Sequence, residues 1–297
     1  MTTYSRRNAI GTIAAMSLPT ALFPVPTVAQ TAADPLMKVI RDVEARLQSR
    51  LGVSIRDIEN GRTWTHRADE RFPMCSTFKA LAAAAVLARV DRGEDRLDRR
   101  VVFPASELVT YSPVTKEHVG EPGMTIGDIC AAAVATSDNT AGNLMLKSIG
   151  GPEGLTRFLR GVGDTVSRLD RWETELNEAT PGDPRDTTTP NALSATIDKL
   201  VLGSALSAGS RDQLAAWLVG NKVGDTKVRA GLPKDWKVGD KTGAGGFGTN
   251  NDTGIIWPPG RRPIVFTILT TETKASVEDK NAGMAEIARA LRSAIAA

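Results

Sequence analysis

The chain is short of the side chains that most chemistry near neutral pH relies on. It has 2 Cys and 2 His in 297 residues. Cys75 and Cys130 are too few for a disulfide framework, and free buried thiols are expected for both. With only His66 and His118, and no C-x-x-C or H-x-x-H spacing, no zinc site is expected, and a metallo-hydrolase of the usual design is excluded. No cofactor and no metal are expected. Aromatic residues make up 5%, while Ala and Gly are plentiful, a composition suited to close helix packing. The formal net charge is +3, both signs are interspersed, and no Lys/Arg run marks a nucleic-acid surface. After the N-terminus no run reaches the roughly eighteen apolar residues that a membrane-spanning helix needs.

What the chain does have begins with an export signal. Ser5-Arg6-Arg7-Asn8-Ala9-Ile10 is a twin-arginine element followed by an uncharged, mildly apolar run from Ala9 to Ala29. Pro19, Pro24 and Pro26 argue against a helix of the fold there. Residues 1–33 are read as the signal, with cleavage after Ala29 or near Ala33, and the destination is periplasmic or secreted. Removing Arg6 and Arg7 takes the formal charge from +3 to +1, so the mature chain is close to neutral.

Beyond the signal, Leu36, Ile40, Val43 and Leu47 form one helical stripe. Val53 and Ile55 alternate toward Asn60-Gly61, a hairpin turn, with Trp64 and His66 alternating beyond it. Trp236 to Thr242, Asn251 to Trp257 and Pro263 to Thr271 read as strands. Met284, Ile287, Leu291 and Ile295 form a closing helical stripe. The middle, about Cys75 to Val219, is mostly helical. The expectation is an α+β fold: an antiparallel sheet flanked by helices, built from residues 34–66 and 220–297, with an all-helical subdomain at 67–219. A cleft is expected at their junction. Gly243-Ala244-Gly245-Gly246-Phe247-Gly248 matches G-x-G-x-x-G, but a strand follows it rather than a helix, so it reads as a hairpin turn and not a dinucleotide site.

Three short motifs follow in order: Ser76-Thr77-Phe78-Lys79, Ser137-Asp138-Asn139 and Lys241-Thr242-Gly243. Each alone is weak. Ser76 could be an ordinary helix cap, Ser137-Asp138-Asn139 another, and Lys241 a solvated strand lysine. Spaced three apart on a helix, however, Ser76 and Lys79 share one face, and a buried ammonium group has its pKa depressed toward useful basicity. A serine hydroxyl becomes a good nucleophile only when a neighbour takes its proton.

The motifs in this order, with Glu173 and Asn177 between the second and third, make the chain similar to class A β-lactamases from about Leu36 to the C-terminus. The resemblance implies a fold of the serine β-lactamase and penicillin-binding-protein kind. It also implies hydrolysis of the β-lactam amide of penicillins or cephalosporins, giving antibiotic resistance. By resemblance Ser76 is the nucleophile, with Lys79 or Glu173 as the base that activates it. The backbone N–H groups of Ser76 and Ala244 form the oxyanion hole. Ser137 relays a proton to the leaving nitrogen, Asn139 binds the substrate amide, and Asp138 is structural. Residues 171–186 are the Ω-loop, in which Glu173 and Asn177 hold the deacylating water and Arg171 pairs with Asp186. Many members have Pro where Thr174 stands, after a cis bond. Lys241 and Thr242 face the substrate carboxylate, Gly243 allows close approach, and Tyr111 lies at the mouth.

Two positions depart from the commoner pattern. Asn250 stands where many members place a carboxylate-binding Arg, leaving Lys227 as the candidate replacement. Gly245 stands where disulfide-tethered carbapenemases carry a second Cys, which disfavours that subtype. The expected partner is a small-molecule β-lactam, bound by a monomer. The nearest rival is a cell-wall D,D-peptidase, which shares the motifs but lacks the Glu173/Asn177 pair. A β-lactam sensor domain is a third reading, disfavoured because such domains are normally fused to a membrane anchor.

Overall fold

The computed structural model describes residues 1–2 and 34–296, so the twin-arginine element and both cleavage candidates lie outside the described residues. In chain order the elements are α1 (Pro35–Leu47), β1 (Arg50–Asp57), β2 (Thr63–His66), β3 (Phe72–Pro73), α2 (Phe78–Asp91), β4 (Arg100–Val101), β5 (Met124–Thr125) and α3 (Ile126–Ala135). There follow α4 (Asn139–Ile149), α5 (Gly151–Gly161), β6 (Thr187–Thr188), α6 (Pro190–Val201), α7 (Ala208–Val219), β7 (Lys237–Ala244), β8 (Asn250–Trp257), β9 (Ile264–Thr271) and α8 (Val277–Ala296). Among the described residues no helix is long and apolar enough to cross a membrane.

Five strands form one antiparallel sheet in the order β2-β1-β9-β8-β7. The first and last parts of the chain therefore meet through β1 and β9, and β7 is left at an edge. One face carries α1 and α8. The stripes read from the sequence close there: Leu36, Ile40, Val43, Met284, Ile287 and Leu291 are buried against Val53, Ile55, Trp64 and Phe266. Asp34 caps α1 by accepting from the Leu36 and Met37 N–H groups, and also accepts from the Trp64 indole.

The other face meets the helical part around α2. Every residue of α2 from Phe78 to Ala88 is buried, and its alanines let neighbouring helices approach. A helix apolar all round is a central one. Yet this helix buries Lys79 completely. An ammonium in such surroundings needs compensating partners, which directs attention to its N-terminal end.

Candidate active site

Ser76 lies in a single 3₁₀ turn, Cys75–Thr77, that precedes α2. Its side chain makes no capping bond, so the ordinary helix-cap alternative does not hold for Ser76. The turn is held from outside instead. Asn251 on β8 donates to the carbonyls of Pro73 (2.8 Å) and Met74 (3.1 Å), and Thr77 Oγ1 donates to Met74 O (2.8 Å). Cys75 adopts a left-handed backbone, φ 45°. A non-glycine residue held there is strained, and the surrounding contacts must overdetermine it.

Freed from capping, the Ser76 hydroxyl faces two groups. Lys79 Nζ donates to Ser76 Oγ at 3.0 Å, and Ser76 Oγ donates to Glu173 Oε1 at 3.4 Å. Lys79 Nζ also reaches Glu173 Oε1 (2.8 Å), Asn139 Oδ1 (2.6 Å) and Ser137 O (2.9 Å). Four acceptors surround three hydrogens, so the ammonium is fully compensated and can exchange partners. Burial pulls the Lys79 pKa below its ordinary value, and the Glu173 carboxylate opposes the shift.

Glu173 comes from the 171–186 loop, where a carboxylate would ordinarily be solvated, but here it is only 3% exposed. The Arg171–Asp186 pair (2.6 Å) and the Asp186 carboxylate, which accepts from the Asp170 and Arg171 N–H groups, close the loop's neck. Asn143 on α4 clamps the Glu173 backbone from both sides: its amide accepts from Glu173 N (2.9 Å) and donates to Glu173 O (3.0 Å). The Glu173–Thr174 bond is cis. Asn177 donates to Glu173 Oε2 at 2.5 Å, while its own Oδ1 is buried and receives no donor among the described residues.

The other walls come from α4 and β7. Asp138 caps α4 through Ala141 N (2.8 Å) and accepts from Val114 N and Thr115 N, both at 2.9 Å, and from the Thr115 hydroxyl. That places Ser137 and Asn139 beside Lys79. Asn139 Nδ2 donates to Thr110 O, and its N–H donates to Tyr111 O, so the exposed Tyr111 is tied to the same edge. Opposite, Lys241 Nζ donates to Ser137 Oγ (3.0 Å) and to Thr242 O. Burial, and the nearby Lys79 cation, push Lys241 well below its ordinary value.

Gly243 permits the approach of β7, but toward the nucleophile as well as toward a ligand: a Cβ there would lie 2.9 Å from Met74 O and 3.3 Å from Ser76 N. The same segment brings Ala244 beside the nucleophile turn. Gly245 is packed between the Cys75 thiol and the Asn177 carbonyl, and both cysteines are free and buried. Lys227 is buried and donates to Asn250 Oδ1 and Asn251 O (3.0 Å). Its proximity contributes to the depression of Lys241, so a second cation stands behind the same wall.

Ser76, Lys79, Ser137, Asn139, Glu173, Asn177 and Lys241 are thus joined in one hydrogen-bonded cluster, with Gly243 packed against the nucleophile turn. Asn143 and Asn251 escaped the sequence reading. Asn143 was legible in principle, being four residues beyond Asn139 on the same helical face. Asn251 carried no signal, because its work is a contact across 177 positions of chain. A surface cavity of about 1070 Å³, lined by residues including Leu47, Pro181, Phe247 and Lys274, holds none of these groups. Among the described residues no three His, Cys, Asp or Glu side chains are arranged to hold a metal ion.

A buried serine hydroxyl between a lysine and a glutamate, beside a second serine–lysine pair, defines a serine hydrolase of the acyl-transferring class. The sequence profile described as the β-lactamase enzyme family matches residues 35–295. The β-lactamase AST-1 of Nocardia asteroides is 53% identical over 254 residues, covering 86% of this chain and 82% of its own. The β-lactamase AER-1 of Aeromonas hydrophila is 43% identical over 284 residues, 96% of this chain and 91% of its own. A solved ancestral class A β-lactamase is 58% identical, with a TM-score of 0.86, covering 87% of this chain and 99% of that one. The chain belongs to the β-lactamase enzyme family, as a class A β-lactamase with the α+β fold of that class.

Proposed function

We propose that this β-lactamase opens penicillins and cephalosporins through an acyl-enzyme on Ser76, and that a water driven by Glu173 releases the product. Ser76 Oγ bonds to the lactam carbonyl carbon, and the oxyanion is held by the N–H groups of Ser76 and Ala244. The hydroxyl proton has two candidate bases within reach: Glu173 Oε1 at 3.4 Å, to which it already points, and Lys79 Nζ at 3.0 Å in its neutral amine form. When the C–N bond breaks, the leaving nitrogen takes a proton from Ser137, whose hydroxyl is replenished through its contact with Lys241. Asn139 receives the substrate's side-chain amide, Thr242 and Lys241 its carboxylate, and Tyr111 flanks the mouth. Lys227 supplies the further cation that Asn250 cannot.

In the second half, water attacks the ester carbonyl, its proton passes to Glu173, and Ser76 recovers its own. The observation that carries this reading is the pairing of Glu173 with Asn177 within reach of Ser76. The carboxylate is buried, and the unpartnered Asn177 Oδ1 beside it suits a water donor. A D,D-peptidase needs no such pair, so the loop favours turnover over a stalled ester. The physiological outcome is resistance to β-lactams. Export by the twin-arginine route to the periplasm or medium, and action there as a monomer, complete the proposal.

The test is turnover by the wild-type chain. It should hydrolyse a chromogenic cephalosporin over many cycles per molecule. A single burst of one equivalent, with no steady rate after it, would sink the hydrolase reading in favour of an acylated peptidase or sensor.

A further inference from the structure

Behind the wall formed by β7 and β8 lies a group of charges the mechanism does not use. Asp240 and Asp252 are both fully buried. They stand on neighbouring strands, Asp240 opposite Gly254 and Asp252 opposite Thr242, a diagonal pair on one face. Asp240 is well supplied with donors: Arg229 Nε reaches Oδ1 at 2.6 Å, and Asn221 Nδ2 reaches Oδ2 at 2.8 Å. Asp252 is not. One of its oxygens accepts from Val228 N at 3.3 Å, while Oδ1 is buried and receives no donor among the described residues. That register sets the Asp252 and Asp240 carboxyls side by side on the same face, both shut off from water.

Two carboxylates in contact cannot both be ionised in a dry site, so one proton must lie between them. The donors decide where it sits. With a guanidinium and an amide on its oxygens, Asp240 takes the charge, and Asp252 keeps the proton and donates it to Asp240. Burial and the adjacent Asp240 charge push Asp252 well above the usual carboxylate range, in the same sense.

Lys227 lies beside this pair and hydrogen-bonds only neutral oxygens, Asn250 Oδ1 and Asn251 O, among the described residues. We propose that Asp252 is a specificity-determining positioning residue: by holding a proton against Asp240 it stays neutral and leaves the Lys227 charge free for the carboxylate of the substrate. An ionised Asp252 would be a built-in competitor for that charge. The arrangement rests on the reading of Lys227 as a carboxylate anchor, and the experiment separates the two.

KM and kcat are measured for a cephalosporin as the free acid and as its methyl ester. Lys227→Met should raise KM about tenfold for the acid and leave the ester unchanged, the value of one charge-assisted hydrogen bond. If the acid KM does not move, the anchor reading itself is wrong. Given that anchor, Asp240→Asn turns a proton acceptor into a donor toward Asp252, lets Asp252 ionise, and should raise the acid KM about tenfold with kcat held. Asp240→Asn/Asp252→Asn, with no carboxylate left to compete, should bring KM back to the wild-type value. A merely structural role for Asp240 predicts no such rescue, and equal effects on acid and ester. Should Asp240→Asn fail to fold, infrared difference spectroscopy of wild type against Asp252→Asn at pH 7 decides the matter. A carboxylic-acid carbonyl band present only in the wild type supports the shared proton, and its absence overturns it.

Discussion

Replacing Asp138 by Ala should destabilise the fold far more than a surface acid would, and the structure sets the size. The carboxylate is fully buried and accepts from three backbone N–H groups, those of Val114, Thr115 and Ala141, and from the Thr115 hydroxyl. Truncation leaves those donors without acceptors, at about 1–3 kcal/mol each, and removes the cap of α4, itself worth about 1 kcal/mol. Taking the low end, because water enters and neighbours relax, the loss is about 3–5 kcal/mol. For a domain of this size that corresponds to a Tm lower by roughly 6–20 °C. Urea unfolding followed by tryptophan fluorescence measures it directly. Residual activity should fall with the folded fraction and also intrinsically, because Asp138 aligns Ser137 and Asn139 with the Tyr111 segment. A loss below about 1 kcal/mol would refute the reasoning, since it would mean the four donors to Asp138 hold nothing together.

Further expectations concern the cleft. Gly243→Ala should lower kcat/KM about 10–100-fold with a modest drop in Tm, because its methyl would press on Met74 O and Ser76 N and displace the nucleophile; unchanged kinetics would contradict the close approach described. Burial, opposed by the Asp240 carboxylate, brings Lys227 down to about 8. The anchoring ammonium is present below that pH and lost above it, so KM for carboxylate-bearing substrates should rise as pH passes through about 8, with no matching rise for an ester. The same depression lies below the unfolded value near 10.4, so the fold bears the penalty in full below about pH 8 and sheds it as pH rises. Lys227→Met should therefore raise Tm at pH 7 while weakening binding, as calorimetry beside kinetics will show.

The sheet and the two helical stripes were legible because period-2 and period-3.6 patterns reflect burial directly. The β7, β8 and β9 segments came within two residues of their observed bounds. Two-residue strands such as β3 and β6 were not legible, being too short to show any period. The motif residues could be found because they cluster locally and in order. What they touch could not. Glu173 reads as a solvated loop acid until Asn143 and the loop's neck bury it. Ser76 reads as a cap until Asn251 supports its turn from another strand. The Asp240–Asp252 pair looks like two ordinary acids until cross-strand register brings them together. In each case the missing information is a contact between positions far apart in sequence.

The central claim is that Glu173 activates the water that frees Ser76, and mass spectrometry of Glu173→Gln tests it most directly. Incubated with a penicillin, the variant should gain the mass of one ring-opened drug and keep it for hours while wild type under the same conditions carries none at steady state. A variant that turns over at the wild-type rate, or that never acquires the adduct although folded, would contradict the account.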